Sequence, residues 1–350
     1  MPCGPVEVQL DLARAGVTAQ LDARLRNSGA EALGIESLVL GFRWQPPQPG
    51  ALRFLRHGWQ SWSETGARDL DPAGEPPFPS SPWLRGLHHA VGDPGADRRG
   101  WHESHLVTVV GSALEGPACC VGVLERGRAF GIVYLRPVAD AVELEVELRL
   151  DATLAAGETR DLERVHLALG ERSAPLLEAF AEAHGRLAEA RTARPFVAGW
   201  CSWYHYFDSV REEDLRRNLD ALVDAGDELP VEVVQLDDGW QRAVGDWRET
   251  NEKFPSGLPG IARAIREAGF TPGLWTAPFC AVPGSALVSD HADWLLRSDG
   301  EPALALLHPD WSEDGRVFAL DASRPEVRSH LEALFTELVA HGFQHLKIDF

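Results

Sequence analysis

No run in this 350-residue sequence reaches the about eighteen consecutive apolar residues that a membrane-spanning helix needs. Nor do residues Met1 to Gly16 carry a basic segment followed by an apolar one, the pattern of a secretory leader. No membrane partner is expected. Positive charge is in short supply: 33 Lys and Arg against 53 Asp and Glu leave a net charge of −20. That balance disfavours nucleic acid and anionic lipid as partners and suits a neutral or cationic ligand. Cysteine is sparse and odd in number. The five residues Cys3, Cys119, Cys120, Cys201 and Cys280 are irregularly spaced. They predict free thiols and a cytoplasmic location rather than a disulfide framework. A Gly-x-Gly-x-x-Gly turn and a phosphate loop are also missing, which disfavours a nucleotide ligand.

What is present is a hydrophobic fraction of 44%, ordinary for a large core. The length suits about two or three domains. Residues 1–175 read as all-β. Ala141 to Leu150 alternates strictly, the period of a half-exposed strand. Leu106–Val110, Cys119–Leu124 and Phe130–Leu135 are further strands, broken at Gly111, Glu115-Gly116-Pro117 and Arg126-Gly127. Short strands with such breaks predict a β-sandwich. A stretch from about Gln45 to Gly100, rich in Pro, Gly and Trp, carries His57-Gly58-Trp59-Gln60-Ser61-Trp62. The two tryptophans either pin the loop locally or form an aromatic finger toward a site. His102-Glu103-Ser104-His105 is a poor metal motif, because its histidines are three apart in a strand-like context.

Residues 176–194 predict a linker helix with Leu176, Leu177, Phe180 and Leu187 on its apolar face. From residue 195 to 350 strands and helices alternate. Ser209 and Glu212 suggest a capping box, and the helix behind them carries Leu215, Leu219, Leu222 and Val223. A second helix closes at Gly269. A third is opened by Ser323, Pro325 and Glu326 and ended by Gly342. Such alternation means parallel strands with crossover helices. A doubly wound sheet and a (β/α) barrel both fit. The barrel is favoured because every strand ends in chemically active residues, where barrels keep their sites. Those ends are Trp203-Tyr204-His205-Tyr206, Asp237-Asp238, Trp275-Thr276, and Lys347 with Asp349.

Val233 to Leu236 is a buried-strand pattern running into Asp237-Asp238-Gly239-Trp240. Paired carboxylates accept hydroxyl hydrogen bonds at charge-assisted strength, and an indole covers a C–H face. Lys347 and Asp349 share one strand face, and the lysine favours an ionised acid. Such an aspartate can attack an anomeric carbon. One nucleophile, two hydroxyl acceptors and an aromatic wall predict a sugar pocket and glycosyl transfer through a covalent intermediate.

The chain resembles the α-galactosidases of glycoside hydrolase family 36. The resemblance rests on Gly199–Phe207, Gln235–Trp240, Gly245-Asp246-Trp247, Pro272–Phe279, His291–Trp294, Ala319–Ser323 and Lys347–Phe350. It covers residues 195–350 well and reaches Gly58–Trp62. It implies an N-terminal β-sandwich, residues 1–175, and a (β/α)8 barrel, of which 195–350 supply about the first four strands. It implies a retaining mechanism without metal or cofactor. Asp349 would be the nucleophile. Asp237 and Asp238 would hold O4 and O6 of a terminal α-galactose. Trp275 would pack on the sugar, Lys347 would donate to a ring hydroxyl, and Trp62 would be the finger from the sandwich. Trp203 and Tyr204 complete the expected substrate-binding set. The family's general acid/base lies on a later strand, so the chain is expected to be an inactive part of a longer protein. Melibiose- and raffinose-type oligosaccharides are the expected substrates. An α-N-acetylgalactosaminidase, a raffinose-type galactosyltransferase and a non-catalytic sugar-binding half-barrel are the alternatives. Homo-oligomerisation of a complete protein is left open.

Overall fold

The structure is a computed structural model that describes residues 5–47, 50–59, 63–74, 100–112, 116–124, 127–193, 195–298 and 300–350. Trp62 and most of the Pro- and Trp-rich stretch lie outside the described residues. The chain divides into two compact units, Met1–Thr192 and Ala193–Phe350. Among the described residues no helix is long and apolar enough to cross a membrane.

The first unit holds two antiparallel sheets. Its strands are β1 (Val6–Ala15), β2 (Thr18–Asn27), β3 (Leu33–Trp44), β4 (Arg53–Arg56), β5 (Gly66–Asp69), β6 (His102–His105), β7 (Val107–Gly111), β8 (Ala118–Leu124), β9 (Phe130–Val138), β10 (Ala141–Leu154), β11 (Thr159–Asp161) and β12 (Arg164–Gly170). One eight-stranded sheet runs β1-β2-β12-β8-β7-β4-β5, with β11 pairing β2 off that path. The other runs β3-β10-β9-β6. The alternation along β10 does what it predicts: Val142, Leu144, Val146 and Leu148 are all buried. They join Leu21, Leu25, Val121, Val123 and Val165 of the larger sheet in one hydrophobic cluster. In β6, Glu103 Oε1 meets His105 Nε2 at 2.9 Å. His102 Nε2 lies 2.8 Å from the carbonyl of Asp71. Among the described residues no group of three or more His, Cys, Asp or Glu could hold a metal.

The helix expected as a linker over 176–194 runs instead from Ser173 to Leu187 (α1). Leu176 and Phe180 bury against Val107, Cys120, Leu124 and Ala168 of the larger sheet. The helix is therefore part of the first unit's packing. Gly122 makes room for it, since a Cβ there would come within 2.4 Å of the Phe180 ring.

The second unit is α/β. Strands β13 (Gly199–Cys201), β14 (Val233–Leu236), β15 (Thr271–Thr276) and β21 (His345–Ile348) form a parallel sheet in that order. The strands of this sheet thus follow their order along the chain, with no reversal. Helix α2 (Trp203–Tyr206) and α3 (Glu212–Ala225) follow β13, α4 (Gly257–Glu267) follows β14, and α6 (Pro325–His341) precedes β21. Leu215, Leu219 and Leu222 of α3 are buried, but Val223, expected on the same stripe, is exposed. The expected Ser209–Glu212 capping box does not form. Asp214 caps instead, its Oδ2 accepting the Arg211 N–H at 3.1 Å. Glu212 is taken elsewhere, accepting from the Ser256 N–H at 3.0 Å and from Arg216. Ser323, expected to open the third helix, hydrogen bonds to Asp321, and α6 starts at Pro325 with Arg324 as its N-cap.

Between β15 and α6 the chain makes an excursion through β16 (Cys280–Ala281), α5 (Ala286–Asp290), β17 (Arg297–Ser298), β18 (Glu301–Pro302), β19 (Leu304–Leu307) and β20 (Arg316–Ala319). Strands β16, β20 and β19 form a small antiparallel sheet.

Phe180→Ala should leave a cavity under α1 and cost about 3–5 kcal/mol. Urea unfolding followed by far-UV circular dichroism measures this. A loss below about 1 kcal/mol would mean that the helix is only loosely seated.

Candidate active site

The parallel strands all end on one side of the second unit's sheet. Register pairs Cys201 with Gln235 and Trp275 with Lys347. The residues at or just past those ends therefore converge. Asp237 follows β14 directly, and its N–H donates to Ser202 Oγ, just past β13, at 2.9 Å. Gln235, two residues earlier on the same strand face, donates from Nε2 to Asp237 Oδ2 at 2.5 Å. Lys347 Nζ donates to the same oxygen at 3.1 Å, and the Cys201 thiol donates to it at 3.3 Å. The Asp238 N–H donates to Asp237 Oδ1 at 3.1 Å. Asp237 is thus 1% exposed and surrounded by donors.

Asp238 is held differently. Gln241 Nε2 donates to its Oδ1 at 2.6 Å and Trp311 Nε1 to its Oδ2 at 2.8 Å. The turn that brings Asp238 round depends on Gly239, whose φ is +109°. A Cβ there would lie 2.3 Å from the Asp208 carbonyl oxygen, so only glycine fits. Asn251 Nδ2 clamps the turn by donating to the carbonyls of Gly239 at 2.8 Å and Gln241 at 3.1 Å.

Asp349 stands beyond β21. Its Oδ2 accepts from Trp275 Nε1 at 3.0 Å and lies 3.7 Å from Lys347 Nζ. Its Oδ1 accepts the Phe350 N–H at 3.2 Å. Trp275 is almost wholly buried and lies in a chain of indoles. Its ring centroid is 5.6 Å from that of Trp247 and 5.9 Å from that of Trp311. Its carbonyl accepts from Trp240 Nε1 at 3.0 Å.

The sheet therefore brings Asp237, Asp238, Trp275, Lys347 and Asp349 into one hydrogen-bonded cluster. Trp203 and Tyr204 sit on α2. Trp203 packs edge-on against Phe207, and Tyr204 is 85% exposed. Among the described residues neither side chain hydrogen bonds to a carboxylate of the cluster. Reading the sequence missed Gln235, Gln241, Cys201 and Trp311. Gln235 had a usable signal, being two residues before Asp237 on a strand. Trp311 had none, because 73 residues separate it from Asp238.

Burial pushes the Asp238 carboxyl above its ordinary range, against the pull of Gln241, Trp311 and His308. Burial would lower Lys347, but the hydrogen bond and charge of Asp237, with Asp349 behind it, win and raise it. Burial likewise pushes the Cys201 thiol up to about 11. Lys347 and Lys253 are the chain's only two lysines. Lys253 Nζ donates to the Asp208 carbonyl. Burial lowers its pKa, while Asp208 and Asp238 act to raise it.

Carboxylates held by fixed donors beside a lysine and packed indoles, at the ends of parallel strands, have the means to accept hydroxyl hydrogen bonds. Residues 184–350 match the family model described as Melibiase. Over 98% of its length the chain superposes on TtGalA, an α-galactosidase from Thermus thermophilus solved with p-nitrophenyl α-D-galactopyranoside. That match has a TM-score of 0.69 and 30% identity and covers 61% of the solved chain. The chain is also 34% identical over 130 residues to α-galactosidase AgaA of Geobacillus stearothermophilus, a match to 35% of this chain and 17% of AgaA. Over 108 residues it is 37% identical to an A type blood α-D-galactosamine galactosaminidase of Flavonifractor plautii, covering 30% of this chain and 10% of that one. The stretches it shares with the first curated relatives span 17–21% of their lengths. The resemblance to the α-galactosidases of glycoside hydrolase family 36 holds in sequence and structure alike, and the chain corresponds to their N-terminal portion.

Lys347→Met gives a test with a definite sign. A folded pKa raised above 10.5 adds stability that is complete below 10.5 and is lost as pH rises through the folded value. The melting temperature of the wild type, minus that of the variant, should therefore be largest at neutral pH and shrink in alkali. A constant difference would mean that the ion pair does not carry the effect.

Proposed function

We propose that the chain is the N-terminal portion of a retaining α-galactosidase. The enzyme would remove terminal non-reducing α-galactose from oligosaccharides of the melibiose and raffinose type. The observation that carries this is the cluster of Lys347 with Asp237 and Asp349, 3.1 and 3.7 Å away, at the ends of parallel strands. In this reading the Asp349 carboxylate attacks the anomeric carbon. The bond from that carbon to the leaving oxygen breaks as a second carboxyl group protonates that oxygen. Water then hydrolyses the galactosyl ester.

The N–H groups of Trp275 and Phe350 fix the orientation of the Asp349 carboxylate. Lys347 stands 3.7 Å from it and reaches a ring hydroxyl. Asp238 accepts from one of O4 and O6 through its open lone pairs, and Asp237 from the other as a present donor, such as the Cys201 thiol at 3.3 Å, yields its place. The parallel sheet in chain order fits a (β/α)8 barrel, to which residues 195–350 would give the first four strands. The shared core of the two antiparallel sheets fits a β-sandwich over residues 1–175. The likeness to a galactosaminidase favours one further reading, an α-N-acetylgalactosaminidase built on the same cluster. Assaying a complete protein on matched galactose and N-acetylgalactosamine substrates separates the two.

In a complete protein, Asp349→Gly should abolish turnover without loss of fold, and external azide should restore part of it, yielding the β-azide. A variant keeping a tenth of wild-type kcat would rule out the assignment. Asp238→Asn should harm galactosides more than the matching glucosides, which differ at O4. Equal loss on both would remove O4 and O6 recognition from the Asp237-Asp238 pair.

A further inference from the structure

An ionised carboxylate offers about four lone-pair sites to donors. Asp237 meets four donors: Gln235, Lys347, Cys201 and the Asp238 N–H. Asp238 meets two side-chain donors, one on each oxygen, from Gln241 and Trp311, with the Gly239 N–H acting on it from the backbone. Its remaining lone pairs are the acceptor capacity available to an incoming hydroxyl. Their direction is set by whatever fixes the plane of the carboxylate.

We propose that Trp311 is a positioning residue that aims Asp238 and so sets how selectively the site reads a sugar hydroxyl. The inference rests on the carbohydrate reading above and extends it to the excursion between β15 and α6. Trp311 lies between β19 and β20. Its indole stacks on His308, with centroids 4.2 Å apart and planes at 13°. It meets the edge of Phe350 at 5.3 Å and is tilted against Trp275 at 5.9 Å. A ring held on three sides has little freedom, so its Nε1–H points one way. Gln241 is attached to the same turn as Asp238 and moves with it. Trp311 arrives from a separate excursion and gives the carboxylate an external reference.

The same N–H should influence the charge on Asp238. Burial disfavours the carboxylate form, while Trp311 and Gln241 stabilise it by hydrogen bonds. The charged groups facing it are Asp237 beside it, His308 on the excursion and Lys253 in the segment between β14 and α4. Removing the indole donor should drive the Asp238 pKa higher. The acid limb of any activity that needs Asp238 ionised should then move to higher pH.

The test replaces Trp311 with β-(3-benzothienyl)alanine, an isostere that exchanges the N–H for sulfur and keeps the ring stack. Trp311→Phe serves as the genetic companion. Two measurements are made. In the 350-residue chain, carboxyl ¹³C NMR follows the titration of Asp238, whether or not any sugar is cleaved. In a complete protein, kcat/KM is measured against pH on an α-galactoside and the matching α-glucoside. Loss of a hydrogen bond to a charged acceptor should lower kcat/KM on the galactoside about ten- to a hundredfold. It should also narrow the galactoside-to-glucoside ratio and shift the Asp238 titration and the acid limb upward. An isostere with the wild-type melting temperature, titration and sugar ratio overturns the inference. A wild-type complete protein that cleaves no α-galactoside overturns the functional reading instead, and the NMR titration then still decides whether Trp311 controls Asp238.

Discussion

The second unit's site depends on one ammonium group shared by two carboxylates. Lys347 reaches Asp237, which follows β14, and Asp349, which follows β21. Those strands are not neighbours, because β15 lies between them. The lysine therefore bridges over a strand that backbone hydrogen bonds have already fixed on both sides. The energy of the contact is modest, since ion pairs with a solvent-exposed partner contribute about 0–1 kcal/mol. Its importance is positional: one ammonium ties together the ends of two strands that do not pair with each other.

The other restraints on the site are hydrogen bonds from groups that are themselves rigid. Trp275 is set opposite Lys347 by strand register, and its indole N–H reaches Asp349. Trp240, in turn, donates to the Trp275 carbonyl. Each tryptophan uses its apolar body for packing and its single N–H for placement, the division of labour such a side chain permits. Gly239 adds a steric restraint, because its left-handed backbone is pressed against Asp208 and no side chain can enter. Preorganisation of this kind is built into the backbone and does not await a ligand.

Much of this was legible in the sequence because the relevant signals are local. Strict alternation marked β10, and β-branched runs marked β14. Lys347 and Asp349 two residues apart on a strand could only share a face. The order of strands and helices indicated parallel pairing before any sheet was seen. What could not be read depends on distance along the chain or on competition between partners. Trp311 meets Asp238 only because a hairpin folds back over the strand ends. Glu212 looked like a capping residue, but Ser256 and Arg216 compete for its carboxylate, so Asp214 caps instead. The helix at Ser173–Leu187 looked like a connector, because it stands between the all-β stretch and the stretch where strands and helices alternate. Its true partner is the outer face of an antiparallel sheet, and no local pattern reveals which surface an apolar stripe will cover.

The scarcity of lysine gives the site an unusual spectroscopic isolation. Thirty-one of the 33 basic side chains are arginine, and the two lysines, Lys253 and Lys347, both feel the charges of the strand-end aspartates. Amine chemistry on this chain has almost nowhere else to go. Reductive methylation with ¹³C-formaldehyde would place labels on two side chains and the N-terminus alone. Their environments shift the two side-chain pKa values in opposite directions, Lys253 down and Lys347 up. Two resonances would therefore titrate apart, each reporting on one flank of the carboxylate cluster, without a mutation or a bound sugar.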